Sequence, residues 1–380
     1  MRPRRIAKGK PLKIVLKKNL SLDALIIYFI AMSLKESIKQ IQKREHMTQD
    51  ELQRRLGCSR NSFLKSSSAD IQPYFELAFG ISSPDTSSAE RNKELEKLLP
   101  WVRKFPIRAL QNMGYIPANV KDASLVRAVF KFMQIGSITG FEKYYGATLQ
   151  STNPQTIAAW IRLGELRVKR RTSDFAPDHK AIFSVLKFLR TNVFIHGQNI
   201  RKQAREELKN CGIEFIEVEP FLTAPIPTCA FYWVGTQPVI QFPTTKMDDS
   251  KFLGALCHAI AHILYHPLRT ACLQLGTSTQ ASMHNNTQAQ ASPQNSAPAQ
   301  DNAATAQSIL EVEADKFAQD MLLSEAEECE LICCGRFNEP RCIQHFSGLF
   351  HVRPGILVER LQQQGKIRRR SPLNEFKVAV

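Results

Sequence analysis

Three histidines, His258, His262 and His266, recur at intervals of four within residues 251–267. An α-helix advances 3.6 residues per turn, so a step of four rotates a side chain by only about 40° and stacks successive imidazoles on one face. His258 and His262 therefore have the spacing with which a zinc helix of the H-E-x-x-H type grips one tetrahedral ion from a single rigid element. In that motif the glutamate deprotonates the metal-bound water. Its position here holds Ala259, so the ligand pair of a metallopeptidase is written without its usual general base.

Such a site needs a third protein ligand and leaves one position for water. The segment 308–323 offers Glu311, with Asp315 one turn later on the same face, placed to hydrogen-bond a ligand histidine from behind. Ser308 to Glu311 also reads as a capping box, which would give Glu311 a purely structural job. Glu313 lies two residues on from Glu311 and is expected to face another way, so it does not replace the missing base.

These residues need scaffolding, and the surrounding pattern supplies it. The histidine helix can start at Asp248, Asp249 or Ser250 and stops at Pro267, with Phe252, Leu256, Ala259, Ile260 and Ile263 as its buried stripe. Just upstream the hydrophobic period changes to two, over 213–218 and again over 230–242, where Gly235-Thr236 marks a hairpin. Residues 275–307 are rich in Ser, Thr, Gln, Asn and Ala and carry few large apolar side chains, the composition of a disordered insertion whose flanks still meet. Residues 89–180 read as a helical connector in which Trp160 belongs to the core. The segment 343–365 reads as two short helices, followed by a basic tail.

Near the N-terminus, Leu34, Ile38 and Ile41 set one helical stripe. Thr48-Gln-Asp-Glu51 is a capping box opening a second helix, Gly57 supplies a turn, and Ser59 caps a third helix carrying Arg60, Asn61, Ser62 and Lys65. Two helices around a tight turn, the second presenting polar and basic groups, form a helix-turn-helix pattern. Gln49, Arg60, Asn61, Ser62 and Lys65 are its expected DNA contacts. A small helical bundle that reads no DNA is the alternative.

The segment 47–60 resembles the repressor-type module of phage and antitoxin regulators, although Gln53 stands where a small residue is common and Ser66–Ser68 replace the usual glutamate. Further on, the 231–240 hairpin, the His258–His266 helix, Glu311-Val-Glu-Ala-Asp-Lys-Phe-Ala318 and the closing Leu349-Phe-His-Val with Val358-Glu-Arg-Leu361 resemble the ImmA/IrrE family of zinc metallopeptidase-like proteins, fused behind a HigA-like helix-turn-helix. The resemblance implies His258, His262 and Glu311 as zinc ligands, with the catalytic glutamate falling on Ala259. It also implies a histidine commonly found at the place of His266, which need not be a ligand.

The expected fold is α+β and predominantly helical: a basic extension (1–31), a helix-turn-helix domain (32–88), the connector (89–180), a zincin-like domain with a small sheet (181–350, insertion 275–307), and a C-terminal helix with a basic tail (351–380). A net charge of +16 suits a polyanionic partner but is weak evidence alone. The apolar run 24–32 is too short to span a bilayer and lacks a cleavage site, so no membrane partner is expected. Nine cysteines without a C-x-x-C pair suggest reduced thiols in a cytoplasmic protein; Cys329, Cys333, Cys334 and Cys342 are expected in a core rather than at a second metal. The expected function is a DNA-binding regulator carrying a degenerate metallopeptidase domain, with DNA and a toxin or repressor protein as partners and a homodimer as one form. An active zinc peptidase that cleaves a repressor or other partner is the alternative.

Overall fold

The computed structural model describes residues 34–58, 68–80, 89–168, 175–191, 199–221, 227–266, 272–274 and 298–380. The extension 1–31, the expected DNA contacts Arg60, Asn61, Ser62 and Lys65, and residues 275–297 of the insertion lie outside this set.

The chain is α+β and mostly helical, with one four-stranded mixed sheet. Helices α1 (Leu34–Glu45), α2 (Gln49–Leu56), α3 (Ser68–Phe79), α4 (Ala89–Glu96), α5 (Leu99–Val102), α6 (Ile107–Asn112), α7 (Asp122–Met133), α8 (Ile138–Tyr144) and α9 (Pro154–Glu165) come first. Then follow α10 (His179–Thr191), α11 (Ile200–Asn210), β1 (Glu214–Val218), β2 (Cys229–Val234), β3 (Gln237–Pro243), α12 (Asp249–Tyr265) and β4 (Cys272–Gln274). The chain closes with α13 (Pro298–Leu322), α14 (Glu325–Cys333), α15 (Pro340–Phe350), α16 (Pro354–Gln363) and a 3-10 turn, Pro372–Phe376.

The strand order is β1-β3-β2-β4, with β1 parallel to β3 and β2 antiparallel to both β3 and β4. Alternation along the strands sends side chains to two different cores. Phe215, Phe231, Ile240 and Phe242 join the core under α12, whereas Ile216, Val218, Tyr232 and Val239 join the core built on α7 and α9. The sheet is thus covered on both faces. Trp160 of α9 donates from Nε1 to Val218 O at 3.0 Å, and Gln241 Nε2 donates to Trp160 O at 2.9 Å, which ties α9 to the strands. Gly164 on the same helix is required there: a Cβ would lie 1.9 Å from Gln241 Oε1.

The N-terminal helices are not free-standing. Thr48 caps α2 by accepting from Glu51 N, and Gly57 ends it at φ +83°, both as the sequence pattern requires. Arg55 of α2 is wholly buried, however. Its guanidinium donates to Glu51 Oε1 (3.0 Å), Met133 O (3.2 Å), Tyr144 OH (2.7 Å) and Glu165 Oε2 (3.0 Å). Arg162 donates to the same Glu165 oxygen at 2.7 Å. Burial alone would raise the Glu165 carboxyl; Arg55 and Arg162 overcome it and hold the group down at about 2. An ionic knot of α2, α8 and α9 therefore binds the first helices to the connector.

Two expectations change at the C-terminal end. The stretch read as a disordered insertion ends earlier than composition suggests, because α13 begins at Pro298. Alanine is the best helix former, and 298–307 holds four alanines in ten residues, so propensity carries the helix backwards where no apolar stripe announces it. Ser308 then lies inside a helix, so the capping-box reading of Glu311 is overturned. The basic run Lys366–Arg370 leads not to a loose end but to residues that fold back: Ala379 bridges Asp248, Val380 N donates to Met247 O at 2.8 Å, and Asp249 N donates to Val378 O at 2.8 Å. The chain end thereby braces the start of the histidine helix.

Candidate metal centre

Helix α12 begins where its sequence provides a cap. The Asp248 carboxylate accepts from Lys251 N at 2.9 Å, an interaction of roughly 1 kcal/mol. Phe252 packs on Phe242 with ring centroids 4.8 Å apart, and Phe252, Leu256, Ala259, Ile260 and Ile263 are all buried as the stripe predicts. This places His258, His262 and His266 along the opposite side, against α13, and all three are buried. Phe231 of β2 lies flat on His262, with centroids 6.2 Å apart and planes 11° from parallel, and fixes the tilt of that ring.

The expected triad converges. His258 Nε2 and His262 Nε2 are 3.1 Å apart, Glu311 Oε2 is 3.3 Å from the first, and Glu311 Oε1 is 3.6 Å from the second. Zinc bonds of about 2.05 Å to nitrogen and oxygen in a tetrahedron require donor atoms about 3.3 Å apart. The observed separations lie near that length, two of them to different oxygens of Glu311, and one ligand atom from each residue falls within 4.8 Å of the others, so a small rotation of the Glu311 carboxylate suits the residues to an ion of this size. Among the described residues no other group of three His, Cys, Asp or Glu donors comes together this way.

What holds these donors in place explains two residues whose role the sequence left open. Asp315 Oδ1 is 2.8 Å from His258 Nδ1, as its spacing predicts. Glu313 does face away from the triad, toward His266: its Oε2 is 3.2 Å from His266 Nε2, while His266 Nδ1 is 2.8 Å from His262 Nδ1. The protons then follow from the partners. A carboxylate accepts, so His266 carries its proton on Nε2 and, when neutral, accepts at Nδ1. His262 must donate from Nδ1 and is left with a free lone pair on Nε2. Asp315 does the same for His258 directly. Two carboxylates, one acting through an imidazole, turn both Nε2 lone pairs toward the same point. The repeat His-x-x-x-His-x-x-x-His together with Glu-x-Glu was the available signal for this relay, but only the packing of α12 on α13 closes it.

The electrostatics favour a cation at that point. Burial pulls both imidazoles toward the neutral form. For His258, hydrogen bonds to Asp315 and Glu311 outweigh burial and raise it to about 9; for His262 burial prevails and the group is lowered. Burial would raise Glu311, yet the hydrogen bonds from His258 and His262 hold it well below the usual carboxylate range. The proton these three groups hold between them is the one a cation would displace on binding.

Ala259, next to His258 in the helix, sits in the core at 1 % exposure. The neighbouring carboxylates are engaged elsewhere: Glu311 on the two ligand histidines, Asp315 on His258, Glu313 on His266. A cavity of about 200 Å³ adjoins the site, lined by His258 and Asp315 together with Ser250, Gly254, Gln319 and Glu359. A larger one of about 550 Å³ lies between α3, α4, α7 and α8 and includes none of the triad. Of the expected DNA contacts only Gln49 is described, and it is exposed in the first turn of α2. Among the described residues no helix is long and apolar enough to cross a membrane.

Comparison with protein-family models, with curated proteins and with solved structures finds no match to this chain.

Proposed function

We propose that the chain is a DNA-binding regulator whose C-terminal half is an ImmA/IrrE-like, zincin-type domain holding zinc at His258, His262 and Glu311 without acting as an efficient peptidase. The observation that carries this reading is the convergence of His258, His262 and Glu311 on one point, combined with a methyl group, Ala259, at the position of the motif's general base. Bound there, zinc would supply Lewis-acid polarisation and an acidified water. The protein would supply orientation: Asp315 through His258, and Glu313 through His266 and His262. Loss of a positioned base typically costs a hundred- to ten-thousand-fold in rate. The site is therefore suited to sensing, to holding the fold or to presenting a surface to a partner protein.

The DNA half of the proposal rests on the capped α2, the left-handed Gly57 turn, the exposed Gln49 and the net charge of +16. Binding of duplex DNA should weaken steeply with salt and fall strongly in the Arg60→Ala/Lys65→Ala double variant. Unaltered binding in that variant would count against it. For the metal half, the parent should show no peptidase activity and Ala259→Glu should gain some, with Ala259→Gln as a control of similar volume. Efficient partner cleavage by the parent, abolished in His262→Ala, would instead establish the second reading, a working peptidase, which the open fourth vertex of a three-ligand site favours.

A further inference from the structure

Of the four cysteines between 329 and 342, Cys342 packs against the edge of the core, and the other three are not core residues. Cys329, Cys333 and Cys334 are exposed and Cys342 is half-buried, while among the described residues Cys229 and Cys257 are the buried thiols. Cysteine's usual preference for the interior misleads here because α14 buries Leu331 and turns Cys329 and Cys333 outward with the exposed Glu325 and Glu330. Nor do the four thiols form a tetrathiolate. No three of them approach one another closely enough to share an ion, so they resolve into two pairs. Cys329 Sγ and Cys333 Sγ are 3.8 Å apart on one helix face; Cys334 Sγ and Cys342 Sγ are 3.2 Å apart across the turn between α14 and α15.

We propose that Cys334 and Cys342 are a dithiol–disulfide couple, a site of reversible oxidation by a small-molecule disulfide. The geometry is prepared by the turn. Gly335 reverses the chain at φ +70° with no atom within 4 Å of where its Cβ would be, so nothing but conformation demands glycine. Pro340 then opens α15 and sets Cys342 in its first turn, facing back toward Cys334. Bond formation needs the sulfurs to close by about 1.2 Å, to the usual disulfide length of about 2.05 Å, a distance within reach of side-chain rotation. The i,i+4 pair on α14 starts farther apart, and both its side chains are fixed to a rigid helix.

The chemistry balances by thiol–disulfide exchange. The exposed Cys334, as thiolate, attacks one sulfur of the external disulfide; the other sulfur leaves as a thiolate and takes up the proton Cys334 lost. The Cys342 thiolate then attacks the Cys334 sulfur of the mixed disulfide and expels the second small thiol. Two electrons pass to the external disulfide, which becomes two thiols, and the protein gains one internal bond. Burial and the neighbouring Cys334 thiol push the Cys342 thiol up to about 12 in the reduced pair, so the first attack falls to the exposed Cys334.

The full-length protein, equilibrated in reduced and oxidised glutathione, quenched with an alkylating reagent and cleaved with trypsin, tests this directly. The expected product is a linked pair of the peptides 317–336 and 342–360 (Arg353 precedes a proline and is not cut), lighter by two hydrogens, which reverts on reduction. It should persist in Cys329→Ser/Cys333→Ser and vanish in Cys334→Ser and in Cys342→Ser. Circular dichroism of each variant separates loss of the bond from loss of the fold. Only glutathione adducts at Cys334 and Cys342, or a Cys329–Cys333 bond formed while these two stay alkylated, would overturn the proposal.

Discussion

Replacing Arg55 by methionine should destabilise the protein by about 3–5 kcal/mol, although the residue lies in a helix whose sequence reads as a surface element of a DNA-binding module. The magnitude comes from the knot it occupies. Its side chain has no exposure, it neutralises Glu51 and Glu165 together with Arg162, and it packs 3.7 Å from the Tyr144 ring centroid. Removing it leaves two buried carboxylates facing one guanidinium, and breaking a buried pair from one side costs about 3–5 kcal/mol because an uncompensated charge is left behind. An independent route gives a similar figure. Holding Glu165 at about 2 rather than 4.5 corresponds to about 3 kcal/mol of linkage. The sign follows from the depressed value: this stabilisation is present above pH 4.5 and is lost as pH falls toward about 2. Urea unfolding at pH 7 and pH 3, followed by circular dichroism, would measure both. The parent should lose stability between these values, and Arg55→Met should be weaker at pH 7 with a flatter acid limb. A loss below 1 kcal/mol would mean that α2 is not joined to the connector in this way and would refute the reasoning.

Other outcomes follow from the same geometry. Asp315→Asn should weaken metal binding roughly 10- to 100-fold while leaving the stoichiometry unchanged, checked by competition with a chelating dye. Glu313→Gln should produce a smaller loss of the same kind, since it acts through His266, and His266→Phe should match it; an unchanged affinity in both would dispose of the relay. Gly140→Ala should cost about 3 kcal/mol in urea unfolding, because its Cβ would lie 2.1 Å from Arg55 O, a backbone atom that cannot turn aside.

Much of the site could be read before any coordinates, because its determinants are local. Helical spacing put His258 beside His262 and Glu311 beside Asp315, and the Asp248 cap and the Gly235-Thr236 hairpin are equally local signals. What escaped depends on distant partners. Arg55 looks like any arginine on a polar helix until Glu165, 110 residues away, receives it. Strand β4 is three residues long, too short to show a period, and exists by pairing with β2. The role of Glu313 needed the neighbouring helix, since its own spacing says only that it points elsewhere. The surface position of Cys329, Cys333 and Cys334 was hidden by the residue type itself, whose average burial says nothing about which face of α14 meets the core.

The central claim is that two helices hold one zinc-sized ion between His258, His262 and Glu311, and metal analysis of the purified protein tests it most directly. Elemental quantification after dialysis against zinc should give one ion per chain in the parent and in Cys329→Ser/Cys333→Ser, and less than a tenth of that in His258→Ala and Glu311→Ala. A parent that retains no ion, or a Glu311→Ala protein that retains its full complement, would contradict the account.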